Sequence, residues 1–276
     1  MTMTQSTVPD LGAVKDRQRK VWGTGDYAAV AARIVPIAEQ LVDSADLAAG
    51  WRVLDVAAGS GNASLAAARS GCDVTALDYV PELLERGRVR SAAEGFDIEF
   101  VEGDAENLPF ADASFDAAIS CLGVMFTADQ DRAAAELLRV CRPGGLIALA
   151  NWTPTGFVGD MFRVVAGHVP PPAGVRSPLE WGTEQRLAEL VSDGVSELLV
   201  RRRTFAFRFR TPDEFVTFFR ANYGPVHAAF GALDEPGRAK LHEDLAALAA
   251  RHDRAGGTSI ALPSEYLEVL ATRRAA

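Results

Sequence analysis

Cysteine is scarce in this chain: three in 276 residues, at positions 72, 121 and 141. None stands at a metal-ligand spacing from another, which excludes a thiolate metal centre and a disulfide scaffold; the three read as reduced core thiols of a cytosolic protein. Positive charge is also short. Lys and Arg number 28 against 37 Asp and Glu, a formal charge of -9, which argues against a phosphate-tracking nucleic-acid binder and for a small-molecule partner. The one dense basic run, Arg201-Arg202-Arg203, reads as the solvated face of a strand. Long apolar runs are missing as well. Nowhere do about 18 apolar residues follow one another, and "MTMTQSTVPDLGAVKDRQRK" has no apolar h-region, so neither a membrane span nor export is expected and the cytoplasm is the expected location.

What is present is a globular composition, 48% hydrophobic and 24% charged, in a chain long enough for a full core. From Trp51 onward, short β-rich runs alternate with helical patterns. The runs are 51–57, 72–78, 98–104, 115–121 and 145–152; between them "NASLAAARS", "PELLERGRVRSAAE" and "DRAAAELLRVC" carry apolar residues at helical spacing. Nearly continuous apolar strands are buried on both faces, so the pattern predicts an α/β doubly wound, Rossmann-like sheet with its ligand beyond the carboxyl ends of the strands. Residues 1–48 are expected to form an N-terminal helical lid, and 49–276 the catalytic domain. Downstream, 153–182 reads as a long irregular stretch stiffened by Pro170-Pro171-Pro172. A helix capped by Thr183, a β-rich run, helical segments over 212–255 and a last apolar run follow.

The stretch "VLDVAAGSGNASLAAA" passes from strand through Asp55 to Gly59 and Gly61 and into a helix. A turn this bare lets a ligand reach the unpaired N–H groups of a helix start. A dinucleotide would want G-x-G-x-x-G, but Ser64 stands where the third small residue belongs. Asp55 behind the glycines would oppose a pyrophosphate and suits a cationic ligand such as S-adenosylmethionine. Asp78, closing the second strand, is placed to accept both hydroxyls of a ribose, and Asp104 with Ala105 to meet an adenine edge.

These residues fall in "VLDVAAGSG", "LDYVPELLERGR", "EGDAENLPFADASFDAAIS" and "ELLRVCRPGGLIALANW", four motifs that in this order resemble the class I S-adenosylmethionine-dependent methyltransferases, over about residues 50–152. Within that class the chain is similar to the ubiquinone and menaquinone biosynthesis group, methyltransferase type 11. The resemblance implies a seven-stranded sheet with its last strand antiparallel, "EYLEVLATRR" taking that place beside "SELLVRRRTFAFRF", and helical insertions near 153–182 and 212–255 over the substrate. It implies that Gly59 and Gly61 back the methionine portion, with Asp55 and the Ala57 carbonyl near its ammonium. Asp78 would hold the ribose, Tyr79 would pack beside the adenine, and Ser120-Cys121 would close around the methionine. Ala57 departs from the glycine frequent at that place. Trp22 and Tyr27 look like lid residues, and Tyr27 could donate to the methionine carboxylate.

Methyl transfer is an in-line displacement that needs the acceptor held about 3 to 3.5 Å from the methyl and water kept out; no conspicuous catalytic residue is required. Candidates for a base, should the acceptor need one, are His168, Tyr223 and His227, while His242 and His252 sit among charges. Met125, Phe126, Phe157, Trp181, Phe218 and Phe219 are candidates for an apolar acceptor wall. A methyltransferase acting at oxygen or carbon of a small, apolar or aromatic molecule is the expected function. An NAD-dependent oxidoreductase is the second reading, disfavoured by the glycine spacing and by "GDAENLPF"; a non-methylating S-adenosylmethionine-binding protein is the third.

Overall fold

The computed structural model describes residues 10–172 and 174–275. Seven strands form one sheet: β1 (Arg52–Val56), β2 (Asp73–Asp78), β3 (Glu99–Glu102), β4 (Phe115–Cys121), β5 (Cys141–Trp152), β6 (Val195–Phe209) and β7 (Ile260–Arg273). Their order across the sheet is β3-β2-β1-β4-β5-β7-β6. The first five pair in parallel, and β7 runs antiparallel to both β5 and β6. The sheet is thus Rossmann-like with an antiparallel last strand, as the four motifs imply. Its inner strands are apolar on both faces because helices cover both: Leu54, Leu77 and Ile119 are fully buried, each stabilising the fold by about 1.5 to 3 kcal/mol.

Before β1 come α1 (Leu11–Trp22), α2 (Tyr27–Arg33) and α3 (Val35–Ala45). α3 lies under the sheet and buries Ile37, Ala38, Leu41, Val42 and Ala45. Of the segment 1–48 expected to form a lid, α3 therefore belongs to the core, whereas α1 has no buried residue. Between strands run α4 (Asn62–Arg69), α5 (Pro81–Glu94) and α6 (Gln130–Val140), the last capped by Asp129, whose side chain accepts from the Arg132 N–H.

Residues 153–182 depart from the expected irregular stretch. They contain α7 (Gly156–His168), which buries Phe157, Val158 and Met161, and a 3₁₀ turn at Pro178–Gly182. Thr183 then caps α8 (Glu184–Val191), accepting from the Arg186 N–H at 3.2 Å. After β6 come α9 (Pro212–Asn222), α10 (Gly224–Ala232) and α11 (Glu235–His252).

The arginine run on β6 is more than a solvated face. Side chains alternate along a strand, so Arg201 and Arg203 reach the buried Glu268 of β7, at 3.4 and 3.0 Å, while Arg202 turns the other way to Glu265 at 3.0 Å. Ser44 of α3 donates to the same Glu268, tying the helix to the edge of the sheet.

Candidate active site

Strand order reverses between β1 and β4, and a cleft of about 910 Å³, mouth included, opens there beyond the strand ends. Of the ten residues singled out for cofactor binding, nine line it: Tyr27, Asp55, Ala57, Gly59, Asp78, Tyr79, Asp104, Ala105 and Cys121. Gly61 does not. It is the N-cap of α4 at φ 82°, and a Cβ there would find ordinary contacts of 3.7 Å, so the left-handed turn, not a ligand, is what requires glycine. Ser120 is also withdrawn from the cleft: its hydroxyl donates to the Val56 carbonyl at 2.7 Å and accepts from the Val124 N–H at 2.9 Å, tying β1 to the turn after β4.

The two features that set this loop apart from a dinucleotide turn prove to be one contact. The Ser64 hydroxyl donates to Asp55 Oδ2 at 2.6 Å, leaving the buried Asp55 Oδ1 with no hydrogen-bond partner. Burial, against that hydrogen bond, pushes the Asp55 carboxyl up to about 7. Ala57 has φ 55°, a left-handed conformation that explains why glycine is frequent at this place and that disfavours alanine by about 1 kcal/mol. Its methyl fits because Gly123 across the cleft has no side chain: a Cβ on Gly123 would lie 2.9 Å from Ala57 Cβ and 2.3 Å from the Ala57 carbonyl oxygen.

Asp78 receives one backbone N–H on each oxygen, Gly59 at 2.8 Å and Val80 at 2.9 Å. A carboxylate oxygen has room for a second donor, so both oxygens remain able to accept from a ligand. Burial raises this carboxyl to about 6, opposed by those N–H groups. Asp104 takes the Glu106 N–H at 2.9 Å on one oxygen and the Lys15 ammonium of α1 at 2.7 Å on the other. Lys15 also lies 3.1 Å from the buried Glu106, whose other oxygen accepts from the N–H groups of Ala128 and Asp129. An Arg19–Glu102 pair adds to this fastening of α1 across the acidic rim. Lys15 and Glu106 escaped the reading of the sequence, although Glu106 lies inside "GDAENLPF".

A second, smaller chamber of about 350 Å³, mouth included, adjoins the first, and Trp22, Tyr27, Ile34, Leu122 and Phe126 belong to the walls of both. Of the six side chains expected to wall an acceptor, Phe126 and Phe219 do line it. Met125, Phe157, Trp181 and Phe218 do not, and the first three are wholly buried in the core. Trp152 of β5, Phe207 of β6 and Val158 and Met161 of α7 take their place.

Tyr223 lines the chamber, but the exposed His227 does not share its direction: α9 stops at Asn222, α10 restarts at Gly224-Pro225, and the His227 ring turns back to the Arg220 carbonyl at 3.0 Å. His168 ends α7 paired with Asp244 at 2.9 Å, away from both cavities; His242 pairs with Asp213 and His252 with Asp160. Among the described residues no group of His, Cys, Asp and Glu could hold a metal, and no helix is long and apolar enough to cross a membrane.

Sheet order, the reversal cleft and acids at successive strand ends make the arrangement of a nucleotide-cofactor site. A methyltransferase domain model matches residues 54–149. The chain is 44% identical over 222 residues to the uncharacterized protein Rv1403c of Mycobacterium tuberculosis, covering 79% of this chain and 81% of that one. It is 42% identical over 113 residues to the demethylmenaquinone methyltransferase of Paenarthrobacter aurescens, 41% of this chain and 43% of that protein. In fold it resembles YcgJ from Bacillus subtilis with a TM-score of 0.59 and 18% identity, over 87% of this chain and 98% of that one. Residues 54–149 belong to the methyltransferase domain family, whose methyl donor is S-adenosylmethionine. The oxidoreductase reading is set aside.

The cleft suits this cofactor. The unpartnered, buried Asp55 Oδ1 wants a donor or a cation, and the spare lone pairs of Asp78 want hydroxyls. Both interactions favour the ionised carboxylate, which burial disfavours in the free protein. Cofactor binding should therefore release protons, and affinity should climb as pH rises from about 5 to about 7 and then level off. The free protein should lose stability over a related window, because each buried acid keeps its proton to higher pH when folded than when unfolded; this contribution is whole below about pH 4 and lost as pH rises through 6 to 7. Titration calorimetry in buffers of different ionisation enthalpy reads the proton count directly. Proton uptake, or an affinity flat across that range, would contradict this assignment.

Proposed function

We propose that this enzyme transfers the cofactor's methyl group to a small, apolar or aromatic molecule, at oxygen or carbon. The observation that carries the proposal is the second chamber. Its lining contains no charged side chain, and it shares a wall with the cofactor cleft. A compact apolar ligand there would lie directly beside the cofactor, among side chains that exclude charge. The formal charge of -9 supports a small-molecule acceptor over nucleic acid.

S-adenosylmethionine, when bound, supplies an electrophilic methyl on a sulfonium. The chain's own part is to bind, orient and exclude water. In this reading Asp78 accepts from the ribose hydroxyls, Asp104 and Ala105 meet the adenine edge beside Tyr79, and Gly59 and the Ala57 carbonyl back the methionine portion. Asp55 faces its ammonium, Cys121 closes the strand-end side, and Tyr27 donates to its carboxylate. Tyr27 and Cys121 both have their ionisation pushed up by burial, so they serve as neutral groups and not as bases. Trp22 packs edge-on against Tyr27 at 5.3 Å and against Phe126 at 4.8 Å, and these rings keep water from the path between the two cavities.

The test has two arms. Calorimetry should show S-adenosylhomocysteine binding and no NAD binding, and a panel of phenols, enols and amines with a methyl-labelled donor should show label passing to apolar oxygen or carbon acceptors. Binding of S-adenosylhomocysteine without transfer to any apolar acceptor, with transfer to a charged one instead, would sink the proposal.

A further inference from the structure

An open sheet has two edges, and here the two are guarded differently. β3 is 4 residues long, begins and ends on the exposed Glu99 and Glu102, and has its Phe100 carbonyl capped by the Arg88 guanidinium at 2.9 Å. Shortness, charge and a capped carbonyl keep an edge from pairing with another strand. β6, the other edge, is 15 residues long. Its neighbour shows which of its backbone groups face outward. Thr153, just past β5, donates its N–H to the Glu265 carbonyl of β7 at 3.2 Å, so Glu265 and every second residue of β7 turn their backbone groups toward β5. The β6 partners of those residues, Leu198, Val200, Arg202, Thr204 and Arg208, therefore turn theirs away from the sheet. The Arg33 side chain, reaching the Arg208 carbonyl at 3.2 Å, agrees with this. Arg33 and the run Arg201-Arg202-Arg203 guard the carboxyl-terminal half of the edge. Among the described residues no other strand pairs with Leu198 and Val200 on that side.

The side chains of this unguarded half are self-complementary. Leu199 is 39% exposed, and Val89 is the other large apolar side chain left so open among the described residues. Glu197, Leu199 and Arg201 share one face of the strand. Glu197 is exposed, and Arg201 is half-exposed and reaches Glu268 at 3.4 Å. A two-fold axis through Leu199 would lay β6 antiparallel to its copy, with Leu199 against Leu199, Leu198 against Val200 and Glu197 against Arg201. Leu198 and Val200, both with outward backbone groups, would then exchange N–H···O=C bonds in each direction. Each Glu197 would meet a guanidinium, a favourable cross-strand pair. Neighbouring axes do worse. One on Leu198 sets Glu197 against Leu199, one on Val200 sets Leu199 against Arg201, and one on any of the three arginines opposes arginine to arginine.

We propose that the β6 edge takes a second copy of this chain, the two sheets joining into one through antiparallel β6–β6 pairing about Leu199. The arginine run then has two tasks: it neutralises the buried Glu268, and it confines the pairing to one register by repelling the others. The paired segment is short, so the dimer should be reversible, with a dissociation constant of about 10 µM.

Sedimentation velocity of the full chain, from well below to well above that concentration, should show a monomer giving way to a dimer. Leu199→Arg, which sets like charges on the axis and removes the apolar contact, is expected to weaken the dimer at least about tenfold. Leu199→Cys tests the register itself. Across a non-hydrogen-bonded antiparallel pair the Cα atoms are about 4.5 Å apart, within the span of a disulfide, so mild oxidation should link two copies. Thr204→Cys, exposed on the same strand, would hold its two thiols about 33 Å apart and should not link. The wild-type chain, with Cys72, Cys121 and Cys141, is the blank. Should Leu199→Arg fail to fold, the two cysteine variants decide alone. Three outcomes would overturn the proposal: a monomer at every concentration, a dimer that a folded Leu199→Arg leaves intact, or Thr204→Cys linking as readily as Leu199→Cys.

Discussion

Asp78→Ala is expected to weaken cofactor binding by a factor of about 10² to 10⁴, the loss of two charge-assisted hydrogen bonds at about 1.5 to 3 kcal/mol each. The carboxylate has two tasks. It receives the Gly59 and Val80 N–H groups, which shapes the turn, and in the proposed reading its spare lone pairs accept from the ribose. Asp78→Asn separates them, because an amide preserves the size while losing the charge and one acceptor. It should fall between wild type and alanine, about tenfold to a hundredfold weaker than wild type. Calorimetry with S-adenosylhomocysteine, beside thermal melts to show an intact fold, decides the matter. A folded Asp78→Ala protein with wild-type affinity would remove the ribose role.

Gly123→Ala should be nearly as damaging by a different route. The added Cβ would meet the backbone carbonyl oxygen of Ala57 at 2.3 Å, so the two loops must move apart. Overpacking of this kind lowers stability by about 2 kcal/mol or more, and cofactor affinity should drop with it. Ala57→Gly in the same chain should not rescue it, since the closest clash is with the carbonyl and not the methyl. Gly167→Ala is the control: nothing lies within 4 Å of a Cβ there, and alanine suits α7, so stability should hold or rise slightly. Chemical denaturation of the three variants reads the stability, and calorimetry with S-adenosylhomocysteine the affinity. Gly123→Ala with unchanged stability and affinity would show that the two loops are looser than their spacing implies.

The parallel part of the sheet was legible because its first strands are short apolar runs with Asp55, Asp78 and Asp104 at or beside their carboxyl ends, and both the runs and the acids can be seen without knowing any contact. Helix α7 was not. Gly159 and Gly167 interrupt its apolar period and three prolines follow it, so only the burial of Phe157, Val158 and Met161 against the rest of the molecule reveals why it forms. The cofactor cleft follows motif order, since four strand ends meet at one edge. The chamber beside it does not, because it gathers side chains from the N-terminal helices, from β5 and β6, and from α7 and α9. Whether Trp152 faces it or the opposite side depends on strand register, which a sequence does not print. Phe157 and Phe218 were as plausible as Phe207, and only the fold distinguishes them.

The wall common to both cavities means that neither is an independent site. Trp22, Tyr27, Ile34, Leu122 and Phe126 cannot adjust to one ligand without changing what the other meets. A ligand that settles these side chains removes part of the ordering entropy its neighbour would otherwise lose on binding. Thermodynamic linkage then makes the effect mutual: by whatever factor the cofactor tightens the acceptor, the acceptor tightens the cofactor. On the proposed reading, occupancy of the two cavities is expected to be cooperative, with this shared wall as the coupling element.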